Sequence, residues 1–343
     1  MCNIAGYVGE KDAAPVLTEL ISKQEGLFGG FFTGMATHDG ARLDYRKIQG
    51  ELSTLLKETD AASLKGKMGI AHSRTPSGGD SLWSHPFVTE REGDLQICYI
   101  ANGNGGVLES RIPEAAAVAD KLEQDGYPIP CKLSFDNDNY VHLSTGEPIH
   151  VSDVMCQLIC KYRDESGDTL QAMTRAYTEI GTEIVGLVAD RKYPDRIFFS
   201  RINMPMFVGF DGSGAYIVSS PLGFPDSVTE YRLMPPLSSG VVYRDHVEVT
   251  PYESFCMEAL EITSELLDIT EDVFVSKAKE LDVGMKDVAS LVRDAMPKGF
   301  INQAHAMIYI VIMRLLKENK IRQVNTRWTV DGADAPKTRF ALV

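Results

Sequence analysis

Cys2-Asn3-Ile4-Ala5-Gly6-Tyr7-Val8-Gly9 comes directly after Met1. Residues 3–9 read as a short strand closed by a glycine. Cysteine is small, so removal of Met1 is expected. The mature chain would then begin with a thiol and a free α-amine on one residue. An α-amine titrates near ~7.7–8.0 and can act as general base for its own side chain. Thiolate is nucleophilic even when sparsely populated. A Met-Cys start alone carries little weight; its force comes from segments further along the chain.

Outward from this strand, Val16, Leu17, Leu20 and Ile21 fall on one helical stripe within 14–24. Residues 31–37 and 43–48 read as strands around the His38-Asp39-Gly40 turn. Residues 68–72 read as a buried strand that runs into the polar loop Ser73–Ser81. Residues 95–101 form a core strand that stops at Asn102-Gly103-Asn104-Gly105-Gly106. The stretch 131–149, with Asp136-Asn137-Asp138-Asn139, reads as an insertion or long hairpin. It lacks the EF-hand order, so a solvated turn is favoured over calcium. Helices over 154–162 and 170–180 precede strands at 183–189, 196–200, 206–209, 215–219 and 240–243. Strands at both ends with helices between suggest two sheets with helices outside them.

Four segments then gain meaning from their order. Residues 2–9 resemble the Cys-Gly-Ile-x-Gly opening of class II glutamine amidotransferases. Gly69-Ile70-Ala71-His72-Ser73-Arg74-Thr75-Pro76-Ser77 is similar to that family's Gly-x-x-His-x-Arg-x-x-Thr segment. Ser84-His85-Pro86-Phe87 is similar to its Ala-His-Pro, and Tyr99-Ile100-Ala101-Asn102-Gly103 to its strand ending in Asn-Gly. Later strands resemble the glutaminase domain of glucosamine-6-phosphate synthase, so the resemblance covers about residues 2–250. It implies an α+β fold: a four-layer α/β/β/α N-terminal-nucleophile (Ntn) hydrolase sandwich of two antiparallel sheets. It also implies a catalytic set of Cys2, Asn102 and Gly103. Arg74 would fork the α-carboxylate of glutamine. Thr75, Ser77 and His85 would join the substrate-binding set, and Asp153, whose bland reading is a helix N-cap, would meet the α-ammonium. No metal and no cofactor is implied.

The sequence departs from the family pattern at four places beside these atoms. Asn3 replaces the usual glycine, Thr75 a tryptophan, Ser77 a threonine and Ala101 a histidine. No sugar isomerase or phosphoribosyltransferase pattern appears after residue 250. The resemblance therefore implies ammonia release from glutamine to an acceptor on a separate synthase subunit, or action on a related γ-glutamyl amide. The competing reading is a catalytically weak or inactive glutamine-sensing regulatory protein.

That competing reading rests on these altered residues and on the tail. Residues 251–343 read as a separate, mainly helical domain, with helices over 256–267, 273–279, 286–293 and 303–317 and a terminal hairpin. Residues 301–343 hold seven basic groups against three acidic ones. Helices leading into a basic hairpin resemble a winged helix-turn-helix, although a docking or dimerisation module is favoured over DNA binding. The whole chain carries 34 basic and 48 acidic residues, a net charge of -14. That balance disfavours a nucleic-acid or anionic-membrane binder, leaves the tail open, and is compatible with a homo-oligomer. No apolar run approaches the ~18–20 residues of a membrane span, and no signal peptide is visible. Six cysteines without metal-type spacing read as a reduced cytoplasmic protein.

Overall fold

The computed structural model describes residues 2–104, 112–135, 140–181, 183–330 and 332–343. Met1, Gly105-Gly106, the Asp136–Asn139 run and Asp331 lie outside the described residues. The chain begins with β1 (Asn3–Gly9), α1 (Ala13–Gln24), β2 (Phe32–His38), β3 (Leu43–Gln49) and α2 (Leu52–Glu58). β4 (Met68–Arg74), β5 (Phe87–Arg91) and β6 (Asp94–Asn104) come after them. Next come α3 (Ile112–Gln124), β7 (Val141–His142), β8 (Pro148–Ile149), α4 (Val151–Ser166) and α5 (Thr169–Glu179). The second run of strands is β9 (Glu183–Asp190), β10 (Arg196–Arg201), β11 (Phe207–Asp211), β12 (Gly214–Val218), β13 (Tyr231–Leu233), β14 (Ser238–Tyr243) and β15 (Val247–Pro251). The tail holds α6 (Ser264–Ala278), α7 (Met285–Ala295), α8 (Ala304–Lys317), β16 (Ile321–Val330) and β17 (Ala333–Leu342).

Two antiparallel sheets result, ordered β13-β11-β12-β1-β4-β2-β3 and β15-β14-β10-β9-β6-β5. Successive strand side chains point to opposite faces, and the sequence obeys that rule. Ile4, Val8, Ile70, Ile100, Val185, Leu187, Phe199 and Ile217 meet between the sheets. Their odd or even neighbours point outward. Ala5, Tyr7, Met35 and Ala71 pack under α1, while Tyr99, Val188 and Phe198 pack under α4 and α5. Gly6 faces the inter-sheet space, where a Cβ would lie 3.0 Å from Ile217 and 3.2 Å from Leu187. The layer order is the expected α/β/β/α sandwich.

Helix boundaries in the tail differ from the periodicity reading. One helix, α6, replaces the two expected over 256–267 and 273–279. The Thr263 side chain accepts the Leu266 N–H and caps it, a strong helix-start signal. The residues before it are extended, with Ala259 bridged to Ile301 and the Leu260 N–H donating to Ile301 O. α8 lies in the same apolar cluster as α1, through Met307, Ile308, Val311, Ile312 and Leu315. The β16–β17 hairpin runs against the segment after α1. A Cβ on Gly26 would lie 2.5 Å from the Thr338 hydroxyl, and one on Gly30 3.0 Å from Ala335 Cβ. At those two positions only hydrogen fits; Gly30 also has φ +99°.

Candidate active site

The alternation that builds the core also delivers the polar residues to one end of it. Ile4 and Val8 face inward, so Cys2 continues the same face of β1. Ile70 does the same for His72 and Arg74 on β4, and Ile100 for Asn102 on β6. β1 pairs with β4 through Asn3↔Ser73 and Ile4↔His72. Four chemically capable side chains thus gather where the two sheets end.

Asn102 is buried, and its Nδ2 donates to the Cys2 carbonyl at 2.6 Å. Its Oδ1 lies 3.1 Å from His72 Nε2, which also reaches Ala101 O at 2.9 Å. The Cys2 Sγ is 3.7 Å from the Thr75 hydroxyl. Burial pushes the thiol up, but His72, the positive amino terminus and the Thr75 backbone outweigh it. The thiol pKa falls to about 6. A lowered thiol pKa beside a histidine marks a reactive cysteine. Cys98, Cys131 and Cys156 behave oppositely: burial drives each of them up.

A second layer of rings supports His72. The His85 ring sits 3.9 Å from it, and His150 and Phe87 lie 5.6 and 4.8 Å from His85. His72 Nδ1 and both nitrogens of His85 are buried without a conventional hydrogen-bond partner among the described residues. Such exceptions are rare in a packed interior. Burial keeps His85 and His150 well below the ordinary histidine range, so both rings are neutral. Lys47 fixes the loop that carries His85 by donating to Leu82 O, Ser84 O and Pro86 O at 3.1, 2.9 and 3.3 Å.

Arg74 is 2% exposed. Its guanidinium lies over Phe32 at 4.6 Å and over Trp83 at 5.9 Å. Nη1 donates to Gly78 O and Nη2 to the Tyr140 hydroxyl, both at 2.9 Å. A guanidinium offers five N–H donors in a planar fork, and these bonds use two.

The remaining expected residues are dispersed around this centre. Ser77 lies on the exposed loop, 3.4 Å from the Thr75 hydroxyl. Gly103 is next to Asn102 on β6 with φ +143° and pairs with Ile184. Asp153 sits in the first turn of α4, fully buried. Its oxygens accept the Cys131 N–H at 3.0 Å and Gln157 Nε2 at 3.2 Å, and burial raises its pKa. The structure therefore brings Cys2, Thr75, Arg74, His85 and Asn102 together and commits Asp153 to the chain's own donors. Among the described residues no group of three or more His, Cys, Asp or Glu could hold a metal ion. No helix among them is long and apolar enough to cross a membrane.

No protein-family model matches the chain, but it is similar to known proteins in sequence and in fold. The isomerizing glutamine–fructose-6-phosphate aminotransferase of Clostridium tetani is 28% identical over 226 residues, 65% of this chain and 32% of that relative. The corresponding enzyme of Shouchella clausii is 23% identical over 269 residues, 78% of this chain and 40% of its own. The chain is thus similar to these aminotransferases over 65–78% of its length. It spans about a third of the length of the first of these relatives. Among solved structures, the glutamine phosphoribosylpyrophosphate amidotransferase of B. subtilis, complexed with ADP and GMP, shares the fold. Its TM-score is 0.57 at 17% identity, covering 78% of this chain and 52% of that one. A structure described as the allosteric regulatory enzyme of purine biosynthesis gives the same score over 75% of this chain and 50% of its own. These structures, at 17% identity, show that the chain shares their fold.

Sequence reasoning named the arginine but missed what encloses it. His72 was legible: it stands two residues before Arg74 on one strand, so both share a face. Phe32 was not legible, since its pairing with Arg74 across β2 and β4 appears only in the structure. Tyr140 and His150 gave no local signal, because both reach the site from distant segments.

Proposed function

We propose that the protein hydrolyses the side-chain amide of glutamine, using Cys2 as nucleophile, and releases ammonia for an acceptor on a separate subunit. The observation that carries this reading is the convergence of Cys2, His72, Arg74 and Asn102 at one end of the inter-sheet space. Arg74 forks the α-carboxylate and so places the amide carbon near Sγ. The thiolate attacks that carbon, a C–S bond forms, and the carbonyl becomes an oxyanion. The Asn102 amide and the Gly103 N–H are its candidate donors. In this reading Asn102 lets go of the Cys2 carbonyl or shares its second N–H. The C–N bond then breaks and ammonia leaves with a proton from the Cys2 α-ammonium. Water attacks the thioester, the α-amine takes its proton, and glutamate departs.

Asp153 as the α-ammonium partner requires its bonds to Cys131 and Gln157 to open. His72 holds the thiol in its reactive form, and His85, neutral, supports the His72 ring from below. The test is ammonia release from glutamine by the processed protein and by Cys2→Ala. Loss of a nucleophile is expected to lower the rate by about 10³-fold or more. Glutamine binding without turnover in the parent protein would favour the sensor reading instead.

A further inference from the structure

The carboxy-terminal hairpin approaches the site beneath Arg74. Phe31, Phe32 and Ala335 form a small buried apolar cluster, with Trp328 and Val330 packed against it. The Trp328 ring meets Phe31 edge-on at 5.7 Å. Trp328 faces Ala335 across the hairpin, so one strand pair supplies all three contacts. Lys337 and Lys286 lie over the Trp328 ring at 4.4 and 5.6 Å. Arg327 fastens the same strand to the sandwich by an ion pair with Glu51 at 3.0 Å. Gly26 and Gly30, which have no room for a side chain, let the hairpin approach closely.

On the other side of this cluster stands the arginine. The Phe31 N–H donates to Arg74 O at 3.1 Å, Phe32 pairs with Arg74 across the sheet, and the Phe32 ring lies under the guanidinium. A cation on an aromatic face is held only as firmly as the ring itself. Phe32 opens β2, with Phe31 just before it, and the hairpin packs against both.

We propose that the β16–β17 hairpin is a positioning element for Arg74, with Trp328 and Val330 as its positioning residues, acting through Phe31 and Phe32. It sets the affinity of the site for the α-carboxylate of its substrate and leaves the reaction at Cys2 alone. The proposal rests on the amide-hydrolase reading and gives the tail a part in it.

The test compares Trp328→Ala, Trp328→Phe and Val330→Ala with Arg322→Ala, an exposed control on the same hairpin. KM and kcat for glutamine are measured on the full chain. In parallel, Cys2 alkylation is tracked with iodoacetamide, which has no α-carboxylate, and with a glutamine-mimicking diazoketone, which has one. Trp328→Ala is expected to raise KM about fivefold to tenfold with kcat changed less than about twofold. Diazoketone labelling should slow in proportion, and iodoacetamide labelling should not. Trp328→Phe should restore most of the loss, Val330→Ala should show a smaller shift of the same kind, and Arg322→Ala none. If Trp328→Ala does not fold, Val330→Ala decides by the same criteria. Unchanged KM, or equal slowing of both reagents, overturns the proposal while leaving the amide-hydrolase reading intact. A parent protein that the diazoketone does not label at Cys2 overturns both.

Discussion

Arg74 and Arg201 are both enclosed arginines on inward-facing positions at the same end of the sandwich, yet they are held in opposite ways. Arg201 stands in one row with Val185 and, across β9, with Asn102. Its donors all end on fixed oxygens: Met204 O at 2.7 Å, Asn203 O at 3.0 Å, Gln303 Oε1 at 2.6 Å, and Met234 O. Burial alone lowers its pKa to about 9. Arg74 instead lies between aromatic faces, with two donors on Gly78 and Tyr140. The fold gives one guanidinium four hydrogen bonds and the other two. A buried charge with most of its donors satisfied ties segments together; one held mainly by its faces keeps donors that can recognise something. Arg201 does tie segments, since Gln303 belongs to the tail and Asn203 Nδ2 donates to Asn302 O at 2.6 Å.

The sharpest break in this contrast would come from Asn102, which shares the row of Arg201 but the site of Arg74. Asn102→Ala is expected to lower kcat by ~10²–10³-fold, the usual cost of one oxyanion donor. Steady-state ammonia release checks it; an unchanged kcat would move the oxyanion elsewhere.

Replacing each arginine by lysine tests the contrast itself. Arg74→Lys loses the planar fork and is expected to lower kcat/KM by about 10–100-fold, mostly through KM. Arg201→Lys leaves several carbonyls short of a donor and is expected to cost about 2–3 kcal/mol of stability. Activity per folded molecule should stay within about threefold of the parent. Denaturant unfolding and glutamine kinetics on both variants separate the two. Identical behaviour would erase the distinction.

The smallest effect belongs to Glu25, on the outer face behind Arg74. Its carboxylate accepts the Ser73 hydroxyl and the Leu52 N–H, both at 2.8 Å. Burial, helped by Glu51, raises its pKa from 4.5 to about 7 against those hydrogen bonds. The folded state therefore keeps a proton that the unfolded chain releases above pH 4.5. This contribution to stability is complete below pH 4.5 and falls away as pH rises to about 7. Glu25→Gln should flatten that slope and raise stability at pH 8 by on the order of 2 kcal/mol. Unfolding curves at pH 5 and 8 measure it; equal slopes in both proteins would assign the pH dependence to other groups.

The legible part of the molecule was the part governed by short periods. Alternation gave β1, β4 and β6, and with them the common face of Cys2, Arg74 and Asn102. Asn-Gly after a core strand and the Gly-x-x-His-x-Arg order pointed to the same end of the sheets. What stayed hidden depends on long-range contact. Tyr140 reaches Arg74 across 66 positions, and Gln303 reaches Arg201 across 102. The extended run before Thr263 is fixed by pairing with Ile301, and its own helical spacing concealed that. Asp153 has the right residue type in a plausible place, but burial and two local donors use it inside the fold.

Mass mapping after treatment with a glutamine-mimicking diazoketone tests the central claim most directly. Cys256 is an exposed thiol and Cys2 a partly buried one, so simple accessibility favours Cys256. The expected result is an adduct on a terminal peptide that starts at Cys2 without Met1, with Cys256 unmodified. Labelling at Cys256 instead, or an unmodified Cys2 behind a retained Met1, would contradict the assignment of Cys2 as nucleophile.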